Sequence, residues 1–441
     1  MNRKISLGMA ISLMAIVATI AIALTYTVAI NVFESRMSAI AERQTTNDLT
    51  VEIDNKVRQK YFADISEESV RDGIANGIID GLDDPNCAYF TAQQWELESN
   101  RIAGYDFGIG IAVGRTSDGN IIVNRINAGS PAANVLQKGD IITKINGKSV
   151  ITLGYDAALE VIGDSTSALE FTIKRSGNTK SVKITKARYS IVSVDWAMLG
   201  KIGRISIHEF NATTPDQFNA ALSKLQQNEA NGLILDLRDS AGGDYDAACD
   251  ILDTLLPAGK LMLFTDKNGV QEATRTSDKQ CVTLPMCVLI NGNTSGASEL
   301  FASAIYDYMG NSSMKILGTV GTSTAGLMTV QEDFTLSNGS AVRLTTGRWS
   351  TTSGASIKDG VVVPLYEVKL TSYQQENLYV LDAADDPQIQ TAVDLIESRN
   401  ESDAEAAAAT TTTTAESTTT TTTTTAAPAT TTTAATTAAA Q

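Results

Sequence analysis

The sequence holds one histidine, His208, in 441 residues, and only four cysteines and eight prolines. A single imidazole excludes multi-histidine metal sites, and Cys87, Cys249, Cys281 and Cys287 are scattered rather than set at zinc-ligand spacing. Any Ser-His-Asp triad would have to use that one histidine. Cationic residues are also in deficit, with 34 Lys and Arg against 50 Asp and Glu and a formal net charge of −16. Phosphate binding needs clustered cations whose counterions are released, so nucleic acid is excluded as a partner. Nothing in the composition calls for a metal or a cofactor.

The two ends depart from this average. After Arg3 and Lys4, the stretch Ile5 to Phe33 carries no charge and is dominated by Ile, Ala, Leu, Val and Met. At about 1.5 Å per residue it is long enough to cross an apolar bilayer core of about 30 Å. It exceeds a secretory h-region and lacks a small-x-small cleavage site, so the expectation is an uncleaved, single-pass signal-anchor. The basic pair keeps the short N-terminal side cytoplasmic and places the rest outside the membrane. From about Ala404 onward the chain is nearly all Thr and Ala. Such a tail buries too little apolar surface to offset its chain entropy, and disorder is expected. An O-glycosylated stalk and an inert spacer both fit its composition.

In an exported chain disulfides are permitted, and Cys281 and Cys287 flank a short strand. Their pairing stays open. Cys249 sits on an apolar helical face, as a small buried hydrophobe would.

Between the ends the texture changes twice. Val70, Ile74, Ile78, Ile79 and Leu82 recur at helical spacing after Ser66, within a small helical region. From Gly104 to Ser190, short β-branched runs alternate with Gly, Asn and Asp turns: Phe107–Val113, Ile121–Ile126, Asp140–Ile145 and Leu169–Lys174. Helices are expected at Ala132–Gln137 and Tyr155–Ile162. From Ala197 to Ser398 strands and helices alternate. Gly232–Leu237 and Pro285–Ile290 are continuous apolar runs, each followed by a tight loop and a helix, which predicts a parallel α/β sheet with a site at its C-terminal edge.

Two of those loops carry chemistry. Gly242 and Gly243 free backbone N–H groups at a helix start, the material of an oxyanion hole. Asn293-Thr294-Ser295-Gly296-Ala297-Ser298-Glu299 reads as a nucleophile-elbow-like turn, or as a helix cap with Glu299 in a capping box.

The middle of the chain resembles two known families. The order of the short strands, with Gly108-Ile109-Gly110-Ile111 as a carboxylate-binding loop and Gly139-Asp140-Ile141-Ile142 with Ile145-Asn146-Gly147, is similar to a PDZ domain. Residues from about Tyr61 to Val368 resemble the C-terminal processing, or tail-specific, serine peptidases, which join a PDZ domain to a Ser-Lys dyad. Gly232–Arg238 with Ala241-Gly242-Gly243 looks like their strand and glycine turn. Leu344–Arg348 with Ser353-Gly354 and Gly360 is similar to their late strand, and Thr324–Gln331 stands where they carry the base.

Carried across by position, the resemblance places the nucleophile three residues before Glu299, at Gly296, and the general-base lysine four residues before Gln331, at Leu327. A glycine has no oxygen to attack with, and a leucine cannot accept a proton. Gln331, which would orient the lysine, remains, as do Gly242, Gly243 and the Ala297 N–H. Ser295 and Ser298 are the alternative nucleophiles, although a shift of one residue turns a helical side chain by about 100°. Lys315 and Lys358 are the nearest lysines in sequence. His208 falls on a strand resembling a non-catalytic one. Leu365 and Ala325 replace an Asp and an aromatic residue.

The expected architecture is an α/β protein: stub and transmembrane helix 1–33, linker and helical region 34–100, PDZ-like β domain 101–190, tail-specific-protease-like domain 191–398, and disordered tail 399–441. The expected function is that of a membrane-anchored, extracytoplasmic member of the family. It binds peptide or protein C-termini through Gly108, Ile109, Gly110 and Ile111, is catalytically impaired, and has an active related peptidase as a candidate partner. The alternatives are an active serine endopeptidase using Ser295 or Ser298, and a cell-surface scaffold.

Overall fold

The computed structural model describes residues 7–417 apart from residues 166, 279, 280, 377, 379 and 380. The chain divides into two units, Met1–Ile78 and Ile79–Gln441.

The first unit is dominated by one helix, Leu7–Lys60. Its Ser12–Ile30 portion has a mean hydropathy of 2.3 and is long and apolar enough to cross a membrane. Past that portion the helix is polar, and Arg58 near its end bonds Asp54 at 2.7 Å and Glu67 at 2.6 and 2.9 Å. Those last bonds fasten it to the start of the helix Glu67–Asp80, where Ser66 accepts the Ser69 N–H at 3.2 Å.

In the second unit, the helical reading of residues 34–100 needs one correction. Ala88–Phe90 is a strand that pairs antiparallel with Ala341–Ser350. Thr91 then caps the helix Ala92–Ile102 through a capping box with Gln94.

The β domain is an antiparallel sheet in the order Ile111–Arg115, Ile121–Ile126, Ile141–Ile145, Leu169–Arg175, Asn178–Ile184, around a core of Ile121, Val123, Ile142, Ile145, Phe171 and Ile173. Two expectations change here. The run Phe107–Val113 is split at Gly110, whose φ of +77° turns the chain and where a Cβ would overlap Ser130. Tyr105–Gly108 therefore pairs with Ala187–Ser190, and Ile111–Arg115 becomes the free edge of the main sheet. Ala132–Gln137 forms turns rather than a helix, because the Gln137 N–H is taken by the Asp140 carboxylate at 2.8 Å. Asp140 in turn is held by Arg175 at 2.6 and 2.7 Å.

The α/β domain has a six-stranded sheet in the order Val194–Leu199, Ile202–Ile207, Gly232–Asp236, Met286–Ile290, Ile316–Gly321, Tyr366–Glu367, parallel except for its first pair. Helices Thr214–Gln227, Tyr245–Leu255 and Ala297–Asp307 cover one face. Ile389, Ala392 and Ile396 of the helix Pro387–Ser417 cover the other, and each fully buried Ile there contributes about 1.5–3 kcal/mol. This helix also takes in the first residues of the segment expected as tail. It runs through residues 399–417, with Asp403 held by Lys315 at 2.8 Å and Arg399 at 3.0 Å, and an alanine run that favours helix follows. The remainder of the tail, 418–441, lies outside the described residues. A second, antiparallel sheet sets Gly259–Asp266 and Thr329–Thr335 against Ala341–Ser350.

All four cysteines are free thiols, so Cys281 and Cys287 are not paired. Burial pushes the Cys249 and Cys287 thiols up to about 12.

Candidate active site

Two loops meet at the C-terminal edge of the parallel sheet. The first leaves Gly232–Asp236 and enters the helix Tyr245–Leu255, whose N-cap Asp244 accepts the Asp246 N–H at 2.8 Å. The second leaves Met286–Ile290 and enters Ala297–Asp307. Short polar side chains sew them together. Asp239 accepts from Asn291 Nδ2 and Asn293 Nδ2 at 2.8 Å each, Thr294 donates to the Leu237 carbonyl at 2.8 Å, and the Ser295 N–H donates to the Ser240 carbonyl at 3.1 Å.

Gly242 and Gly243 have φ of +82° and +119°. A Cβ on Gly243 would overlap the Phe210 carbonyl, and one on Gly242 would come within 3.0 Å of Ala297 N, so only glycine lets these segments approach. The Phe210 N–H donates to the Gly242 carbonyl at 2.7 Å and the Asp244 N–H to the Phe210 carbonyl at 2.9 Å, which fixes the turn.

Gly296 stands at the N-cap of the second helix with φ 54° and ψ −118°. Its position faces Leu327: a Cβ built on it would lie 3.6 Å from Leu327 Cδ2 and 3.5 Å from Tyr245 Oη. Glu299 holds the two segments together. Its fully buried carboxylate accepts from the Gly296 N–H at 2.9 Å, from the Gly326 and Leu327 N–H groups at 2.8 Å each, and from the Thr324 hydroxyl. Only the glutamate half of the capping box read from the sequence is present, because the N-cap is Gly296 and offers no side-chain acceptor; the Glu299 half reaches further than one helix. Trp349, buried beneath, donates its indole N–H to the Leu327 carbonyl at 3.1 Å.

These groups open onto a cleft of about 810 Å³. Gly242, Gly243, Gly296, Ala297, Leu327 and Gln331 all line it, and Ser295 and Ser298 do not. The Ser298 hydroxyl is buried and donates to Ser240 Oγ at 2.8 Å. Gln331 donates to the Thr329 hydroxyl at 2.8 Å. Lys315 is paired with Asp403, and Lys358 lies in the two-residue strand Ile357–Lys358 away from the lining. His208 is 2.8 Å from Asp195, also outside the cleft.

Sequence reasoning missed two features of this cleft. Tyr245 occupies its floor, donating to the Thr329 carbonyl at 3.0 Å, and burial pushes its phenol well above the ordinary value. A charged rim is assembled from distant segments: Arg101 with Glu209 at 2.7 Å, and Arg343 with Asp333 at 2.8 Å and Glu98 at 3.0 Å. No local pattern announces contacts between residues so far apart in the chain.

In the β domain, Ile109 is buried in the core, and the Gly110 carbonyl accepts from the Asn127 N–H at 2.9 Å and the Ser130 hydroxyl at 3.3 Å. Gly108 pairs with Ala187, whereas half-buried Ile111 begins the free edge strand.

Comparison with known proteins places a match to Peptidase family S41 at residues 201–368 and a match to the PDZ domain at residues 96–174. The Carboxy-terminal processing protease CtpA of Bacillus subtilis is 30% identical over 333 residues, covering 74% of this chain and 70% of that protein. A Probable CtpA-like serine protease of Staphylococcus aureus is 28% identical over 323 residues, covering 72% of this chain and 64% of the relative's own length. Among solved structures, a photosystem II D1 C-terminal processing protease aligns at 23% identity and a TM-score of 0.44, covering 71% of this chain and 85% of that one.

Proposed function

Because the chain belongs to peptidase family S41, the C-terminal processing proteases, and carries a PDZ domain, we propose that it is a membrane-anchored, extracytoplasmic pseudopeptidase that binds protein C-termini without cutting them. One observation carries the reading: beside the glycine pair, the residues facing each other in the cleft are Gly296 and Leu327, which supply neither a nucleophile nor a base. Nucleophile and base act as a unit, and losing either removes most of the rate enhancement. The displaced serines give no substitute, since Ser298 is spent on a buried bond to Ser240 and Ser295 does not line the cleft.

The remaining parts suit capture. Among the described residues Ile111–Arg115 is the unpaired edge of its sheet, and its Arg115 lies over the Tyr155 ring of the helix Tyr155–Asp164 at 5.9 Å, which suits a peptide adding as a further strand with its carboxylate in a glycine loop. The apolar helix portion Ser12–Ile30, preceded by Arg3 and Lys4, supports an anchor with the folded part outside. A captured C-terminus would belong to a protein of the same compartment, and an active relative of this family is a candidate partner.

The test is direct. The purified full chain should resist labelling by a fluorophosphonate and leave an unfolded protein with an apolar C-terminus intact. Labelling that disappears with Ser295→Ala would refute the proposal.

A further inference from the structure

We propose that the cleft takes a cationic peptide segment, with Lys or Arg side chains flanking an apolar residue. The inference rests on the reading that the cleft holds peptides, and it concerns their chemistry.

The lining combines an apolar floor with an acidic rim. Met262, Phe264, Leu327 and Val330 offer a surface for an aliphatic side chain. Around them stand the carboxylates of Glu98, Glu209, Asp244, Asp246, Glu332 and Asp333, against only two cations, Arg101 and Arg343. Both cations are already engaged. Arg101 pairs with Glu209, and Arg343 is divided between Asp333 and Glu98. Asp246 is neutralised from outside the cleft by Arg275. Among the described residues no Lys or Arg pairs with Asp244 or Glu332, and the Arg343 cluster carries one carboxylate more than its charge matches.

The surplus negative charge sits in a concavity, where low-dielectric walls strengthen the field on anything that enters. Asp244 directly follows the glycine pair and lines the cleft, where burial raises its carboxyl above the usual carboxylate range although it caps the helix N-terminus. A lysine at position 327 would place an ammonium in the floor and offset this surplus; Leu327 leaves it uncancelled. Lys and Arg side chains suit such a site, since their methylene stems lie along apolar surface while their heads reach the carboxylates.

The experiment uses the full chain in neutral detergent micelles and fluorescence anisotropy. The probes are four short labelled peptides sharing an apolar C-terminus: Lys-rich or Glu-rich in their body, each as the free acid and as the amide. At low salt the Lys-rich peptides should bind about 10-fold tighter than the Glu-rich ones, with the gap closing at high salt. In the Asp244→Asn/Glu332→Gln double variant the gap should shrink to about 3-fold or less. Asparagine keeps the helix cap, and Glu332→Gln alone, at an exposed position, gives a second variant should the double one fold poorly.

Equal affinity for Lys-rich and Glu-rich peptides overturns the inference. A gap unchanged in the variants also overturns it, because the attraction would then come from the overall charge of −16. Equal binding of acid and amide with the gap intact overturns C-terminal capture but leaves the cationic preference standing. Absence of binding by all four peptides overturns both.

Discussion

A side chain on Gly296 would meet Leu327: its Cβ position lies 3.6 Å from Leu327 Cδ2. The distance is an ordinary van der Waals contact, so the cleft has room for a Cβ at this position, at the backbone strain its φ of 54° imposes. The first prediction uses that room. Gly296→Ser with Leu327→Lys should yield hydrolysis of a peptide with an apolar C-terminus, while each single variant stays at background, because an unassisted serine or a lone lysine lacks its partner. Release of product followed over time decides it; an inert double variant would mean that the surrounding groups no longer support the chemistry.

Glu299 predicts a large stability effect. Glu299→Gln replaces one acceptor oxygen with a donor that faces two of the four donors, at full burial. Unfolding by urea should show a loss of about 3 kcal/mol, and limited proteolysis should cut first near Thr324 to Leu327.

Arg238 gives a prediction whose sign depends on pH. It is buried between Asp236, at 2.7 and 2.8 Å, and Asp386, at 2.7 Å. Burial opposes the charge on Asp236, but Arg238 outweighs it and holds the carboxyl below the usual range. A lowered folded-state value means that this contribution is complete above the unfolded value of about 4 and is lost as pH falls through the folded one. Native stability should therefore drop on acidification below about pH 4. Arg238→Met should cost about 3–5 kcal/mol at neutral pH by stranding two buried carboxylates. Part of that loss should return on mild acidification, as the stranded groups take up protons. Urea titrations of both proteins at several pH values measure it.

Two glycines in one loop should respond differently. Gly110→Ala places a Cβ against Ser130 at φ +77°, whereas Gly108→Ala meets nothing nearer than 3.9 Å. Thermal unfolding should be clearly lowered by the first and nearly unchanged by the second. Equal shifts would contradict the tight turn that separates the two strands.

How much of this was legible in the sequence depends on range. Gly232–Leu237 was readable as a parallel strand because burial on both faces forces an unbroken apolar run. Gly296 and Leu327 stood out through the resemblance to the tail-specific peptidases, which sets those positions relative to Glu299 and Gln331. Ala132–Gln137 was misread because a carboxylate three residues further on takes an amide that a helix would need. Ala88–Phe90 was missed because three residues carry no periodicity and their partner strand, Ala341–Ser350, lies far along the chain. The acidic rim was invisible for the same reason: Glu98, Asp333 and Arg343 meet only once the fold exists.

Glu299 grips the main chain at positions 296, 326 and 327, not their side chains. The main-chain framework of the cleft is thus held without the side chains of residues 296 and 327. At φ 54° and ψ −118° any side chain on residue 296 incurs backbone strain of about 1–3 kcal/mol, which glycine relieves. Glycine at this point leaves the framework standing and free of that strain, so a cleft of this architecture holds together without help from whatever side chain residue 296 carries.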